Sequence, residues 1–353
     1  MQYRTLGKAG VSVSNLALGT MGFGAETNEA DAHLVIDAFL DAGGNLIDTA
    51  NVYNAGLSEE ILGRWFAGRS ADLTDRVVLA TKGRFGTGPD LNDAGLSRRH
   101  LDRALTASLR RLQVDTIDLY QLHGWDPLTP VEETLSFLDD AVHAGKIRYL
   151  GLSNFTGWQL QLVLSTAKQM GVSVPITLQQ QYSLLSREIE WEVIPAALHN
   201  EIGLLPWSPL AGGFLTGKYS REDKAASGTR AGTGNPLYEY VSDDYSSKDR
   251  NWDTINLVKA TAERIGATPA QVALSWVANK PSVTSPVVGA RNIAQLTNNL
   301  AAADLVLDDD VTTALDTVSA PTPGDYPYGP FGTLQRGRYI NSSAQPLGEL
   351  FPH

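Results

Sequence analysis

The sequence predicts an α/β fold, a single (β/α)8 barrel, on three observations. Short apolar segments alternate with helix-length segments along most of the 353 residues. The alternation repeats eight times, which is the number of units that closes a parallel sheet into a barrel. Polar side chains follow the apolar segments at their carboxyl ends, where barrels of this kind build their active sites.

Each element of the barrel is predicted from a local pattern. Polar and apolar residues alternate around two glycines in residues 1–14, which predicts an amino-terminal hairpin. Apolar runs bounded by glycine or turn residues predict the core strands, which lie at residues 16–21, 45–48, 77–82, 117–123, 148–153, 176–179, 202–207 and 283–288. The clearest helical stripe is formed by Leu101, Leu105, Leu109 and Leu112.

Helix boundaries are marked by capping residues. Asn28 precedes the first long helical segment and Gly43 follows it, which predicts a side-chain cap at the start and a glycine stop at the end. Thr268 followed by Pro269 predicts another helix start, because proline is favoured at the first helical position.

Two segments depart from the repeat. Residues 211–252 are predicted to form a long polar loop after the seventh strand, and connections of this length in compact domains are usually functional. Residues 320–353 form a tail whose aromatic residues are expected to lie over the active-site face, namely Tyr326, Tyr328, Phe331 and Tyr339. Both segments are interpreted as parts of one domain that spans residues 1–353.

Composition excludes several classes of function. The chain has 39 acidic and 28 basic residues and a net charge of −11, without the clustered basic face that nucleic-acid binding needs. It has 0 cysteines, which rules out disulfides, thiolate nucleophiles and Cys-ligated zinc, and no metal site is predicted. Neither a signal peptide nor a membrane-spanning run is recognisable, so we expect a cytoplasmic protein without a membrane partner. The sequence sets no oligomeric state.

The candidate catalytic residues lie at successive strand ends. The strand through Leu46 and Ile47 delivers Asp48, and Tyr53 follows on the next loop. A buried carboxylate is costly unless it is paired, and a tyrosine acts as an acid only if its surroundings alter its proton affinity. Lys82, at the end of the next strand, meets both requirements, because an ammonium group pairs with the carboxylate and favours the ionised phenol.

With His123 at the end of the following strand, this set resembles the active site of the aldo-keto reductase superfamily. The resemblance extends from Tyr3 to about Leu300. It implies reduction of an aldehyde or ketone by hydride from a nicotinamide. Tyr53 would be the general acid, Lys82 would adjust the acidity of Tyr53, Asp48 would anchor Lys82, and His123 would orient the substrate oxygen.

The resemblance also implies a cofactor site. Ser153, Asn154 and Gln179 would hold the carboxamide, and Trp207 would lie against the nicotinamide ring. Arg291 suits a 2′-phosphate, which predicts NADP(H) rather than NAD(H). The complete predicted set of cofactor contacts is Thr20, Met21, Asp48, Ser153, Asn154, Gln179, Trp207, Ser208, Pro209, Leu210, Gly212, Lys218, Arg230, Gly289, Arg291, Gln295 and Asn299.

The substrate is predicted to be a small carbonyl compound of apolar or aromatic character. This interpretation depends on three aromatic residues that follow the strands and are expected at the rim of the pocket: Phe23, Phe85 and Trp125.

Two nucleotide-binding motifs are close but incomplete. The segment from Gly212 to Lys218 matches a P-loop in its first seven positions, but the next residue is Tyr219 where Ser or Thr must reach magnesium. An NTPase is therefore disfavoured, and we expect Lys218 to approach the cofactor pyrophosphate instead. No Gly-x-Gly-x-x-Gly occurs, which disfavours a Rossmann dehydrogenase.

Two other functions remain open. The run Trp207-Ser208-Pro209-Leu210 and the long loop after it resemble the branch that includes voltage-gated potassium channel β subunits and many bacterial reductases. A nucleotide-sensing binding subunit is therefore an alternative, less favoured because His123 is retained. A reductase of a nucleotide-linked keto sugar is another, mildly disfavoured by the acidic net charge.

Overall fold

The strands form a hairpin and a barrel in a computed structural model that describes residues 1–221 and 236–336. The hairpin pairs β1 (Tyr3–Thr5) with β2 (Ser12–Ser14) in antiparallel register. The barrel strands are β3 (Ala17–Gly19), β4 (Leu46–Asp48), β5 (Val78–Gly83), β6 (Ile117–Leu122), β7 (Ile147–Ser153), β8 (Thr177–Gln181), β9 (Gly203–Trp207) and β10 (Val287–Gly289).

The barrel strands make one parallel, eight-stranded sheet within the described ranges, in the order β10-β3-β4-β5-β6-β7-β8-β9. The two ends of this order meet at a parallel bridge between Leu204 and Val283, which brings β9 beside the segment that leads into β10. The predicted (β/α)8 architecture, the TIM barrel, is therefore confirmed.

Helices cover the outside of the barrel. The α-helices are α1 (Glu29–Asp41), α2 (Leu57–Ala67), α3 (Ala71–Thr74), α4 (Arg98–Leu112), α5 (Val131–His143), α6 (Gly157–Met170), α7 (Val193–His199), α8 (Pro236–Ser246), α9 (Asp249–Ile265), α10 (Pro269–Ala278), α11 (Ile293–Leu300), α12 (Asp309–Ser319) and α13 (Pro330–Arg336). Short 3₁₀ turns lie at Tyr53–Gly56, Glu188–Glu190, Ala211–Thr216 and Ala301–Asp304.

Both predicted helix caps are confirmed. The Asn28 side chain accepts a hydrogen bond from the backbone N–H of Asp31 at 3.0 Å and so satisfies one free donor of α1. Thr268 and Gln271 form a reciprocal capping box at the start of α10, with Pro269 in the first turn.

The hairpin closes the amino-terminal end of the barrel. Leu6, in the connection between β1 and β2, is fully buried and packs in a cluster with Leu46, Leu119 and Leu205 from three barrel strands. The opposite end, where the strands finish, is left open for a site.

Two details of the chain differ from the sequence prediction. The described part of residues 211–252 is largely helical, because Phe214, Tyr245 and Trp252 bury their rings together and order the chain around them. The last strand begins at Val287 rather than at Val283, since Pro286 lacks the N–H that would extend the ladder.

The described part of the tail ends in α13. Tyr328 stacks on Trp191, in the loop after β8, with ring centroids 5.5 Å apart. Tyr339 and the rest of the tail from residue 337 lie outside the described residues. No tail residue up to Arg336 lines the main cavity described below, so the expectation that the tail covers the active-site face stays a prediction.

Candidate active site

A cavity of about 920 Å³ opens at the carboxyl ends of the barrel strands. It has the size expected for a cofactor or substrate site. Every predicted cofactor contact within the described ranges lines it: Thr20, Met21, Asp48, Ser153, Asn154, Gln179, Trp207, Ser208, Pro209, Leu210, Gly212, Lys218, Gly289, Arg291, Gln295 and Asn299. Arg230 lies outside the described residues.

An ion pair lies at the centre of the site. Lys82 Nζ donates to Asp48 Oδ2 at 2.6 Å, to the backbone carbonyl of Thr49 at 2.8 Å and to Tyr53 Oη at 3.3 Å. The Lys82 side chain is fully buried, whereas Tyr53 and Asp48 border the cavity. The ammonium group therefore has no direct contact with solvent and acts on the cavity through Tyr53.

The second carboxylate oxygen of Asp48 also accepts hydrogen bonds from protein groups. Asp48 Oδ1 accepts from Gln121 Nε2 at 3.0 Å and from Gln179 Nε2 at 2.9 Å. Gln121 was not predicted as a site residue. A Cβ added at Gly151 would lie 2.8 Å from Gln121 Cγ, so the glycine leaves the space that this side chain occupies. The sequence signal was an amide at position 121 between the apolar residues of a strand segment that leads to His123.

A network of hydroxyl groups forms hydrogen bonds with the backbone at the ends of β3 and β4. Ser58, in the first turn of α2, donates to the backbone carbonyl of Thr20 at 2.9 Å and lies 3.0 Å from Thr49 Oγ1. Thr20 Oγ1 donates in turn to the backbone carbonyl of Asp48 at 3.1 Å. The start of α2 thereby fixes the backbone on both sides of the Asp48 carboxylate.

Burial and charge act against each other on Tyr53. Burial raises the pKa of Tyr53, the Lys82 ammonium lowers it, and the Asp48 carboxylate raises it, with a net rise above the ordinary value of 10. Burial also opposes the charge on Lys82, but Asp48 and Tyr53 outweigh it and the pKa of Lys82 is raised. Lys82 acts on Tyr53 in the predicted direction, yet the net shift is opposite because desolvation of the phenol is the larger effect.

His123 is a neutral imidazole at the wall of the cavity. Burial, together with the charges of Lys82 and Arg84, lowers the pKa of His123 to about 2. Its ring packs edge to face against Phe85, with centroids 4.7 Å apart, and against Tyr53 at 5.9 Å. A neutral ring can donate one hydrogen bond without adding charge to the site.

Asn154, which lines the cavity, forms hydrogen bonds with three neighbouring residues. Its Nδ2 donates to the backbone carbonyl of His123 at 2.9 Å and to Ser153 Oγ at 3.0 Å, while its Oδ1 accepts from Trp207 Nε1 at 3.1 Å. Both amide hydrogens are used within the protein. Asn154 is thus placed to hold the Trp207 ring in position, and Gln179, whose Oε1 has no partner among the described residues, is the better placed amide for a ligand.

A second ion pair lies in the cavity lining. Arg291 Nε donates to Glu26 Oε2 at 2.7 Å, and both residues line the cavity. The backbone N–H of Arg291 donates to Gln295 Oε1 at 3.0 Å, and Asn299 Nδ2 donates to the carbonyl of Gly289 at 3.4 Å. Glu26 was not predicted, because the two partners lie 265 residues apart.

Only one of the three predicted substrate residues lines the cavity. Phe23 does, but Phe85 packs against His123 outside the lining, and Trp125 packs against Phe155 and Trp158. The expectation that Phe85 and Trp125 lie at the rim of the pocket stays a prediction, and in this structure both rings pack against neighbouring aromatic side chains.

The incomplete P-loop motif does not fold as a P-loop. Residues Ala211–Thr216 form a 3₁₀ turn, with Gly212 and Gly213 in the left-handed region at φ 65° and 102°. Tyr219 is buried and stacks on Phe214 with centroids 4.0 Å apart. Lys218 is exposed at the cavity, which is compatible with its expected approach to a pyrophosphate.

Residues 1–221 and 236–336 contain neither a candidate membrane span nor a candidate metal site. No described helix combines the length and the apolar character needed to cross a membrane. No described group of three or more His, Asp or Glu side chains could hold a metal ion.

Comparison with known sequences decides the family. The model of the aldo/keto reductase family matches residues 15–320. The chain belongs to this family. Family membership supports NAD(P)-linked carbonyl reduction as the general chemistry of the site.

Curated relatives cover nearly all of the aldo/keto reductase chain. The uncharacterized oxidoreductase YrpG of Bacillus subtilis is 39% identical over 335 residues, which are 92% of this chain and 97% of the relative. A probable voltage-gated potassium channel subunit beta of Oryza sativa subsp. japonica is 35% identical over 92% of this chain and 98% of its own length. Protein tas of Escherichia coli is 33% identical, with 90% and 97% covered.

Proposed function

We propose that this protein reduces an aldehyde or ketone to the alcohol with NADPH, with Tyr53 as the general acid. The observation that carries the proposal is the chain of contacts from Asp48 through the buried Lys82 to Tyr53, which borders the cavity. A phenol that touches an ammonium group on one side and an open cavity on the other can deliver a proton to a bound oxygen.

The cavity fits a nicotinamide cofactor on the chemistry of its walls. The Oε1 of Gln179 and the hydroxyl of Ser153 provide an acceptor and a polar partner for a carboxamide. Trp207, partly exposed and fixed by Asn154, presents an aromatic ring to the same region. When bound, the reduced nicotinamide supplies hydride to the carbonyl carbon.

The protein groups manage the proton and the developing charge. Tyr53 keeps its proton at neutral pH because its pKa is raised, so the acid form is the one present. As the proton leaves, the ammonium of Lys82, 3.3 Å away, stabilises the phenolate. Asp48, held by two amides and Lys82, keeps that ammonium charged and in place.

We assign His123 to orientation of the substrate oxygen. Its pKa of about 2 keeps the imidazole neutral through the working range of pH, so it would serve as a hydrogen-bond donor and not as a proton source. The assignment requires that His123→Asn raise KM or lower kcat without moving the pH profile that Tyr53 sets.

NADP(H) is proposed over NAD(H) because Arg291 lines the cavity, with its Nη atoms unoccupied by any described residue. A planar guanidinium binds phosphate oxygens well. The proposed substrates are small apolar or aromatic carbonyl compounds, with Phe23 among the aromatic residues that line the cavity.

A binding subunit that senses nucleotide redox state is the second candidate. It is favoured by the 35% identity to the Oryza sativa channel subunit named above, which covers 92% of this chain. A complete donor and acceptor set around Tyr53 favours the reductase, since a sensor needs to bind nucleotide but has no need of an acid.

The test compares NADPH oxidation by the native protein, Tyr53→Phe and Tyr149→Phe with an activated aromatic aldehyde. We expect Tyr53→Phe to lose at least about a hundredfold in kcat while it still binds NADPH, because it lacks only the acid. Tyr149 lies in β7 outside the cavity, so its variant controls for the loss of a phenol and should turn over normally.

Full turnover by Tyr53→Phe would remove this residue from its role. If the native protein binds NADPH tightly and turns over no aldehyde, the sensing subunit becomes the better proposal. Turnover restricted to nucleotide-linked keto sugars would identify the specialised reductase.

A further inference from the structure

The cavity lining around Arg291 contains an acidic residue, Glu26. Glu26 and Arg291 form an ion pair at 2.7 Å, with side-chain exposures of 16% and 33%. Both line the cavity, and neither is sealed away from a bound molecule. A ligand that binds the guanidinium therefore meets the Glu26 carboxylate as well.

The position of Glu26 is fixed by the loop that carries it. The carbonyl of Gly22 accepts from the backbone N–H groups of Glu26 at 2.8 Å and Thr27 at 3.0 Å, and Gly24 N–H donates to Thr27 at 2.8 Å. Thr27 Oγ1 donates to the backbone carbonyl of Arg291 at 3.4 Å. The loop after β3 is thus tied to the segment after β10, which keeps the backbone of Glu26 beside that of Arg291.

The two groups of the pair suit different nucleotides. An arginine is the partner of a 2′-phosphate, whereas a carboxylate at the ribose accepts hydrogen bonds from the free 2′-hydroxyl of NAD(H). A phosphate that approaches Arg291 must share it with Glu26 and is repelled by the carboxylate. A neutral ribose meets no such repulsion.

We propose that Glu26 is a cofactor-selectivity residue that competes with the 2′-phosphate for Arg291 and so reduces the preference for NADP(H) over NAD(H). The inference rests on the proposed function, since it takes this cavity to bind a nicotinamide dinucleotide. It assigns the Glu26–Arg291 pair a role in setting the ratio of NADPH affinity to NADH affinity.

The experiment measures dissociation constants of NADPH and NADH by quenching of tryptophan fluorescence, for the native protein and Glu26→Gln. The substitution keeps the shape and removes the charge. The ratio of NADPH affinity to NADH affinity is expected to rise about tenfold, the effect of one like charge removed from a partly screened site. An unchanged or lower ratio overturns the proposal.

A double-mutant cycle with Arg291→Gln tests the mechanism. If Glu26 acts by competing for Arg291, the gain from Glu26→Gln must shrink to less than about threefold when Arg291 is already absent, since coupled residues are not additive. An equal gain in both backgrounds refutes competition. The fragment 2′,5′-ADP, compared with 5′-ADP, repeats the measurement without a nicotinamide.

Glu29→Gln is the matched control. Glu29 pairs with Arg64 at 2.7 Å between α1 and α2, outside the cavity lining, so its variant removes the same charge from a similar pair. The affinity ratio should stay at the native value, and a rise equal to that of Glu26→Gln would count against a local effect. Failure of the native protein to bind either cofactor would refute the proposed function. Binding of the cofactors with an affinity ratio that Glu26→Gln does not change would refute only the role of Glu26.

Discussion

Two ion pairs contribute side chains to the lining of one cavity and differ in what surrounds them. The Asp48–Lys82 pair is almost fully buried, with side-chain exposures of 4% and 0%, and two amides and a carbonyl complete its hydrogen bonds. The Glu26–Arg291 pair is 16% and 33% exposed. The first is a fixed part of the protein interior, whereas the second can exchange one partner for a ligand.

The difference shows that the distance between charges does not decide their role. The two pairs are 2.6 and 2.7 Å long. A buried charge that loses its partner stays desolvated and uncompensated, while an exposed one is solvated again. The comparison predicts large losses on disrupting the first pair and small ones on disrupting the second.

The largest effect is expected for Lys82→Met. The variant leaves Asp48 buried without its cation, so the free energy of unfolding should fall by about 3–5 kcal/mol. Turnover should fall by more than about a hundredfold, because the phenolate of Tyr53 loses its counter-charge. Denaturant unfolding and NADPH oxidation measure the two effects. Lys248→Met, which breaks an exposed pair with Asp244, is the control, and equal stability losses in both variants would contradict the distinction.

Gln121→Leu should have the next largest effect. It removes one of the two amide donors to Asp48 Oδ1, and a hydrogen bond to a charged group contributes about 1.5–3 kcal/mol. NADPH affinity should change little because Gln121 does not line the cavity, so the loss should be found in stability and kcat. Gln161→Leu, on the exposed face of α6, is the control. A stability equal to that of the native protein would show that Gln179 alone satisfies the carboxylate.

Acid should destabilise the folded protein through His123. Its pKa is about 2 in the folded state and has its ordinary value when unfolded, so between these values only the unfolded chain takes up the proton. Stability from this group is complete above the ordinary pKa and is lost as the pH falls. Between pH 7 and 5.5 the native protein should lose about 1 kcal/mol more than His123→Gln. Parallel losses in denaturant titrations at the two pH values would exclude the neutral, buried imidazole.

The smallest effect is expected for the stability of Glu26→Gln. A partly exposed pair contributes less than about 1 kcal/mol, so the unfolding midpoint should stay close to that of the native protein while the cofactor preference changes. A loss as large as that of Gln121→Leu would place this pair with the structural interactions and remove the contrast between the two ion pairs.

The sequence predicted the parts of the site that depend on strand ends. Asp48, Lys82 and His123 each follow an apolar run, and parallel strands of a barrel end at one face, so their proximity follows from order along the chain. Gln121 was missed because the sequence does not show whether a side chain on a barrel strand points into the barrel or toward the surrounding helices. Only the register that places Gln121 opposite Lys82 and Gly151 shows its direction.

Contacts between loops were not predictable in the same way. Glu26 meets Arg291 only because β3 pairs with β10 when the barrel closes, and no local pattern contains that pairing. Phe85 and Trp125 were expected at the pocket rim because they are aromatic residues that follow strands. Their packing depends on neighbouring rings from other loops, which a linear pattern does not reveal.

The contact between Gln179 and Asp48 joins residues 131 positions apart across the barrel interior. The carboxylate therefore acquires its full set of donors only after the strands from β4 to β8 have assembled. Contacts of such large sequence separation form late in folding, whereas helices form within local segments. During refolding, the recovery of turnover should lag behind the recovery of helical signal, and the reaction centre would then report the moment at which the barrel is complete.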